Sequence, residues 1–191
     1  MTLERYLIII NILGFIIFGI NTLLYSHTEA GQIDIIVTLV ALAGGALGIV
    51  LSILLFSRKA VKDNMMSRVF VFCVLAIQIV LFLWLKGVHG ENLNLAFWTF
   101  FSAHKGLIYY FLVINIIAFA VYAFDKWAAI ENRSRIRIVT LLLLAGAGGS
   151  IGALVAMYTL RHKTKKDYFT IGVPLILLAQ IVVLFYVINL K

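Results

Sequence analysis

The sequence predicts an all-α membrane protein in which six transmembrane helices form two three-helix repeats. The chain is 63% hydrophobic and only 13% charged, and its mean hydropathy is +1.08. Charged residues normally make up about a quarter of a soluble domain, because such a domain needs a polar surface. The apolar residues also fall into six long runs, and two parts of the sequence match each other.

Each apolar run is long enough to cross a bilayer, since about 20 helical residues span a hydrocarbon core of roughly 30 Å. The first run is too long for the apolar core of a signal peptide, and no small-residue cleavage site follows it. We therefore expect it to remain as the first helix. The predicted spans are residues 6–25, 35–56, 69–85, 107–124, 138–160 and 168–190.

The net charge of +8 lies almost entirely in the short loops between these runs. In a membrane protein such charges set the topology and attract anionic lipid. We expect the lipid bilayer and its anionic phospholipid headgroups as partners, and no nucleic acid. The predicted location is the bacterial cytoplasmic (inner) membrane, and a homo-oligomer or a membrane-complex partner stays open. The lone Cys73 excludes an internal disulfide.

Two stretches of the chain resemble each other, even at polar positions inside apolar runs. The segment "YLIIINILGFIIFGIN" at 6–21 aligns with "YFLVINIIAFAVYAFD" at 110–125. Similarly, "ALAGGALG" at 41–48 aligns with "AGAGGSIG" at 145–152. This pattern predicts a duplication. Its parts are an N-terminal repeat at 1–86, a connecting loop at 87–106 and a C-terminal repeat at 107–191.

Three crossings in each repeat would invert the second repeat relative to the first, provided that the connecting loop stays on one side. We expect this inverted arrangement, which recurs in transporters. It would place the basic stretch at 161–166 on the side that the positive-inside rule disfavours. Two alternatives stay open. Residues 138–160 form a re-entrant hairpin that turns at its glycines, or residues 93–101 dip into the membrane and make the repeats parallel.

Closely spaced glycines interrupt the second and fifth runs. Glycines four residues apart on a helix allow another backbone to approach closely. A dinucleotide-binding loop would need Gly-x-Gly-x-x-Gly between a strand and a helix, and a phosphate loop would need Gly-Lys-Ser/Thr. We therefore predict helix packing, with a re-entrant turn as the alternative. The glycines concerned are Gly44, Gly45, Gly48, Gly148, Gly149 and Gly152.

Four amide side chains lie inside the apolar runs. Asn11 aligns with Asn115 and, after a shift of two residues, Gln78 aligns with Gln180. Amides in hydrocarbon need hydrogen-bond partners, so all four should face the bundle interior. They either bond neighbouring helices or line a path for a solute. No charged residue or histidine lies deep in a run, which argues against a proton relay or an ion pump.

Charged residues gather after the fourth and fifth runs. If the two stretches meet, Asp125 can orient His162 while nearby cations hold a phosphate-like group. A straight fifth helix would separate the two stretches, and a hairpin would bring them together. Alternatively, the cations simply attract anionic headgroups. The candidate ligand-binding residues are Asp125, Lys126, Arg137, His162, Lys163 and Lys166.

The remaining histidines show no metal-ligand spacing. They are His27, His89 and His104. No Ser-His-Asp or Gly-x-Ser-x-Gly pattern supports hydrolysis. We therefore predict no catalytic residue, no metal and no cofactor.

The motifs of the second half form a set. A helix ends in Asp125-Lys126 before small residues, Arg135-Ile136-Arg137 follows, and a Gly-Gly-x-x-Gly precedes His162-Lys163. Through these motifs, residues 110–186 resemble the bacterial membrane proteins catalogued as domain of unknown function 1294. That family is expected to carry Pro-Glu where this chain has Arg137-Ile138. The resemblance implies a helical membrane fold and supplies no activity, and the first half shares it only through the repeat.

Two functions are compatible with these residues. The first is a non-enzymatic small transporter or binding subunit that handles an anionic or lipid-like ligand. The second is a membrane enzyme that acts on a phospholipid or isoprenoid-phosphate headgroup, with His162 as acid or base beside Asp125.

Overall fold

The structure is a computed structural model that describes residues 2–27, 34–56, 64–90, 95 and 97–190. All regular structure in these residues is helical, which confirms the predicted all-α class. By length and composition, six helical segments could each cross a membrane, as predicted, so the chain is a multi-pass membrane protein. They are Leu3–Leu23, Ile35–Phe56, Met65–Leu85, Lys105–Ile130, Ile138–Thr159 and Asp167–Ile188. The chain forms two compact units, Met1–Leu81 and Phe82–Lys191.

The N-terminal unit contains a helix that is broken at glycine. Its elements are α1 (Leu3–His27), α2 (Asp34–Val40), the π-helical turn Ala41–Gly45, α3 (Ala46–Phe56) and most of α4 (Met65–Leu85). Gly44 in the π-helical turn has φ +112°, a left-handed conformation that glycine adopts without steric cost. This conformation ends α2 and lets α3 start in a new direction.

The break folds α2 and α3 into a hairpin. Val37 of α2 shares one buried apolar cluster with Ile49 and Ile53 of α3. In a straight helix Val37 and Ile53 would lie about 24 Å apart, at 1.5 Å per residue. The second apolar run is therefore two short legs side by side, and both contact α1.

The C-terminal unit has the same order of elements, with two additional short helices. Its elements are α5 (Phe97–Ala103), α6 (Lys105–Ile130), α7 (Ile138–Leu144), the π-helical turn Ala145–Gly149, α8 (Ser150–Thr159), α9 (Asp167–Thr170) and α10 (Gly172–Ile188), and the additional helices are α5 and α9. The seven-residue α5 lies in the segment predicted as the connecting loop. Gly148 has φ +113° and breaks the helix between α7 and α8.

The legs α7 and α8 also form a hairpin, because residues on both of its flanks contact one carboxylate. The N–H of Ile136 donates to Asp125 Oδ1 at 2.9 Å, and His162 Nε2 lies 2.8 Å from Asp125 Oδ2. A straight helix from Ile136 to His162 would separate these two residues by about 39 Å. The geometry of the C-terminal unit therefore matches the re-entrant alternative for residues 138–160.

The hairpin changes the number of crossings in the C-terminal unit. Its two straight spans are α6 and α10, whereas α7 and α8 enter and leave at the same end. The stretches 131–137 and 160–166 thus lie together at the hairpin base. The inverted arrangement requires three crossings in each unit, and the C-terminal unit has only two straight spans. The orientation of the repeats therefore stays a prediction.

Candidate functional site

A buried carboxylate, Asp125, lies at the base of the C-terminal hairpin. Its side chain is 0% exposed. One oxygen accepts the Ile136 N–H, and the other lies 2.8 Å from His162 Nε2 and 3.0 Å from Lys163 Nζ. A buried charge is tolerated when it is paired and hydrogen-bonded. Asp125 therefore ties both flanks of the hairpin to α6.

The backbone of both flanks is shaped to reach this carboxylate. Asn132 follows the end of α6 with φ +53°, and Arg161 follows the end of α8 with φ +46°. Such left-handed residues commonly terminate helices. Lys163 is also left-handed, with φ +63°. A non-glycine residue in this conformation costs about 1 kcal/mol or more, and the tight turn that results directs His162 and Lys163 toward Asp125.

Two aromatic rings pack next to the ion cluster, and one of them, Tyr122, lies one helical turn before Asp125 in α6. Tyr122 and Phe169 are buried, with ring centroids 5.9 Å apart in an edge-to-face arrangement. The Lys163 ammonium lies 5.3 Å from the Phe169 ring centroid, within cation–π range. The Tyr122 hydroxyl donates to the carbonyl of Leu141 in α7 at 3.1 Å. These contacts join α6, α7, the flank at 160–166 and α9 into one packed base.

The structure divides the six predicted ligand-binding residues into two groups. Asp125, His162 and Lys163 are in direct contact. Lys126 is half-buried, whereas Arg137 and Lys166 are exposed. The exposed cations on the two flanks are here called the basic rim: Arg133, Arg135, Arg137, Arg161, Lys165 and Lys166. Within residues 97–190, no rim residue forms an ion pair, although Glu131 and Asp167 are exposed at the same end.

Amide side chains bond the broken helix ends at the hairpin tip. Asn115 donates to the carbonyl of Gly148 at 2.9 Å and accepts the N–H of Gly152 at 2.7 Å. Gln180 donates to two carbonyls of the π-helical turn at 2.8 and 2.9 Å, and accepts the Ser150 hydroxyl at 2.6 Å. An unpaired backbone group in hydrocarbon costs several kcal/mol, so these amides stabilise a break that lipid would otherwise disfavour.

The N-terminal hairpin makes corresponding contacts. Asn11 donates to the carbonyl of Gly44 at 3.0 Å and accepts the N–H of Gly48 at 2.8 Å. Gln78 donates to the carbonyl of Ala41. In each unit, one asparagine and one glutamine thus bond to backbone groups beside the helix break.

The six glycines have two kinds of environment. A Cβ atom at Gly152 would overlap the carbonyl oxygen of Asn115, and one at Gly48 would overlap that of Asn11. The left-handed turns themselves are made by Gly44 and Gly148. A Cβ atom added to Gly45 would lie 2.8 Å from Val40 Cγ1, and one added to Gly149 would lie 2.7 Å from Ala118 Cβ. The glycines therefore provide both the turn and the close helix contact that the sequence offered as alternatives.

Some residues of the site carry little sequence signal. Ile136 contributes its backbone N–H, which any residue except proline would supply. Tyr122 and Phe169 look like ordinary apolar positions. Ser150 had a usable signal, because it is a hydroxyl where the aligned N-terminal segment has Ala46.

The base of the hairpin has the chemistry of an anion site next to a structural ion cluster. Three donors already occupy the Asp125 oxygens, so this carboxylate positions its neighbours. The basic rim supplies positive charge that no described carboxylate neutralises, although the Arg133 guanidinium lies 4.8 Å from the Trp127 ring centroid. Arg and Lys side chains bind phosphate oxygens with charge-assisted hydrogen bonds. Among the described residues, no group of three or more His, Cys, Asp or Glu is arranged to hold a metal ion.

Comparisons with known proteins match the part of the chain that forms this site. Residues 115–169 match the family described as "Protein of unknown function (DUF1294)". The chain is also 37% identical over 75 residues to the uncharacterized protein YsdA of Bacillus subtilis (strain 168), which covers 39% of this chain and 84% of YsdA. No solved structure matches the chain significantly. The family match begins at Asn115, which bonds the hairpin tip, and ends at Phe169 at the hairpin base. The chain belongs to the DUF1294 family, as its motifs predict.

Proposed function

We propose that this chain is a non-enzymatic protein of the bacterial cytoplasmic membrane that binds an anionic, lipid-like ligand at the basic rim. One observation carries the proposal: the hairpin gathers six exposed cations around the Asp125 cluster, and none of them has an ion-pair partner among residues 97–190. Near a membrane surface each such cation attracts anionic lipid by about 1 kcal/mol. A phosphate-bearing headgroup that contacts several of them at once is the best-supported ligand.

The hairpin also supports a cytoplasmic location for the rim. Cytoplasmic loops of membrane proteins carry an excess of Lys and Arg. A straight fifth helix would place residues 161–166 on the opposite side from residues 131–137. The hairpin places both basic stretches at one end of the unit, in agreement with that rule.

Binding is better supported than transport. Asn11, Asn115, Gln78 and Gln180 were candidates for the lining of a solute path. Each of them bonds to backbone groups beside a helix break. Their hydrogen bonds therefore maintain the hairpins and leave these amides less suited to line a solute path. This pairing favours a binding subunit over a transporter.

The corresponding contacts of the two units support a duplication. Asn11 and Asn115 make the same pair of bonds, and Gly44 and Gly148 have φ values of +112° and +113°. We infer that one hairpin-containing unit was copied within the chain. The Asp125 position is Asn21 in the first copy, so we propose the anion site for the second copy. Arg58 and Lys59, aligned with His162 and Lys163, lie outside the described residues.

The test is a titration of phosphatidylglycerol into the full chain in a nonionic detergent, with bound lipid counted by native mass spectrometry. The triple variant Arg137→Gln, Lys165→Gln, Lys166→Gln is expected to bind about 100-fold more weakly, from roughly 1 kcal/mol per cation. Arg5→Gln, an exposed charge change in α1, is the control and should bind normally. Unchanged binding by the triple variant would exclude the rim as the site.

A second candidate function rests on the His162–Asp125 contact of 2.8 Å. A carboxylate that orients a histidine is a common general acid–base arrangement, so a membrane enzyme acting on a phospholipid or isoprenoid-phosphate headgroup is the alternative. His162→Ala separates the two functions in a complementation assay in a null strain. Full complementation would exclude His162 catalysis, whereas loss of complementation with normal phosphatidylglycerol binding would favour the enzyme.

A further inference from the structure

The C-terminal unit contains an apolar groove at a distance from the Asp125 cluster. Its volume is about 840 Å³, and its lining side chains come from α5, α6, α8 and α10. Asn115, Ser150 and Gln180 are the polar residues among them, and the rest are apolar side chains or glycine. The groove therefore needs an apolar occupant.

The groove starts beyond the hairpin tip, toward the N-terminal end of α6, and continues alongside α8. A Cβ atom at Gly148, at the tip, would lie 3.1 Å from the Phe111 ring, which is about 9 Å along α6 from Lys105. Along α6 the groove extends from Ile108 to Phe119, roughly 16 Å. This length is about half of a hydrocarbon core of roughly 30 Å, and thus matches one leaflet.

The polar residues of the groove are already paired. Asn115 bonds the backbone at Gly148 and Gly152, and Ser150 and Gln180 bond each other and the π-helical turn. An extended peptide in the groove would bring backbone groups that require partners in hydrocarbon, and a helix, which satisfies its own backbone, is about 10–12 Å across. An acyl chain is narrower and has no polar backbone, so the groove favours an acyl chain over an extended peptide.

The open end of the groove carries features of the membrane interface. Trp98, which lines it, is 84% exposed, and tryptophan concentrates at the headgroup level of bilayers. Lys105, at the start of α6, is exposed at the same end. This cation can complement the negative charge of a headgroup whose acyl chain lies in the groove.

We infer that the groove binds one acyl chain of an anionic phospholipid from the leaflet opposite the basic rim, with the headgroup beside Lys105. The two ends of α6 separate this site from the rim, so it is a second lipid site and does not depend on the proposed function. Apolar side chains of the groove contact the acyl chain along its length, and the charge of Lys105 attracts the headgroup at one end.

The experiment uses phosphatidylglycerol with a photoactivatable diazirine in its acyl chain, added to the full chain in nanodiscs. Adducts are located by peptide mass spectrometry and are expected at groove residues such as Ile116 and Ile151. Ile116→Trp fills the groove and should lower this yield about 10-fold. The matched control is Ile117→Trp, because Ile117 is also exposed on α6 but lies outside the groove lining.

The headgroup contact is tested with Lys105→Gln. This variant should lower the adduct yield about 5-fold for the phosphatidylglycerol probe and leave it unchanged for a phosphatidylcholine probe. Equal yields for Ile116→Trp and Ile117→Trp would show ordinary annular lipid and overturn the inference. Cross-links between two copies through the groove would also overturn it. The triple variant of the basic rim (Arg137→Gln, Lys165→Gln, Lys166→Gln) should give the same adduct yield in the groove as the unchanged protein. This result separates failure of the groove inference from failure of the proposed function.

Discussion

Replacing Gly152 with alanine is expected to lower the free energy of unfolding by about 3 kcal/mol, at the upper end for overpacked sites. The added Cβ atom would overlap the carbonyl oxygen of Asn115, and this oxygen belongs to the α6 backbone. Relief of this overlap requires α6 and α8 to move apart. That movement would also lengthen the hydrogen bond from the Gly152 N–H to Asn115 Oδ1. Thermal unfolding of the full chain in detergent measures the loss.

Gly146→Ala is the matched control for this substitution. Nothing lies within 4 Å of a Cβ atom at Gly146, although this residue is only six positions away. Alanine there should have little effect or be slightly stabilising, because it restricts the unfolded chain more than glycine does. Similar melting temperatures for the two variants would contradict the backbone contact between α6 and α8.

Replacing Asp125 with alanine is expected to cost about 3–5 kcal/mol, as when one partner of a buried ion pair is removed. The change leaves the Ile136 N–H without its acceptor and the Lys163 side chain, which is 15% exposed, without its counter-charge. Both flanks of the hairpin should then loosen. The measurements are the unfolding midpoint in detergent and the rate of trypsin cleavage after Arg161 and Lys163, which should rise.

Asp167→Ala is the control for the loss of a carboxylate, because Asp167 is exposed at the same end of the unit. Its effect should stay within about 0.5 kcal/mol. The ion pair is tested separately with Asp125→Asn and Lys163→Met. The double variant should lose less stability than the sum of the two single variants, since no buried charge is left unpaired. Additive losses would show that the two side chains do not interact.

Composition and run length were enough to predict the helical membrane class, because both reflect contact with hydrocarbon. They were not enough to distinguish a straight helix from a hairpin. A straight 22-residue span and a hairpin with legs of seven and ten residues joined by a five-residue turn present the same apolar length. The difference lies in the backbone at Gly148, whose left-handed conformation cannot be read from its neighbours. The indirect signal was the basic stretch at 161–166, which a straight helix places on the disfavoured side.

The candidate site was predictable only in part, for the same reason. Asp125, His162 and Lys163 stood out as charged residues at the ends of apolar runs, but their contact depends on the hairpin. The backbone N–H of Ile136 leaves no mark in the sequence. The amides were correctly expected to need partners in hydrocarbon, yet their partners are helix ends that exist only because the helix is broken.

The most direct test is the side of the membrane on which the two hairpin flanks lie. Arg137→Cys and Lys165→Cys are made singly in a Cys73→Ala background and labelled with an impermeant maleimide in spheroplasts and in inverted vesicles. Both exposed positions should react in inverted vesicles and stay protected in spheroplasts. Labelling of the two positions from opposite sides would contradict the hairpin, the shared basic rim and the anion site together.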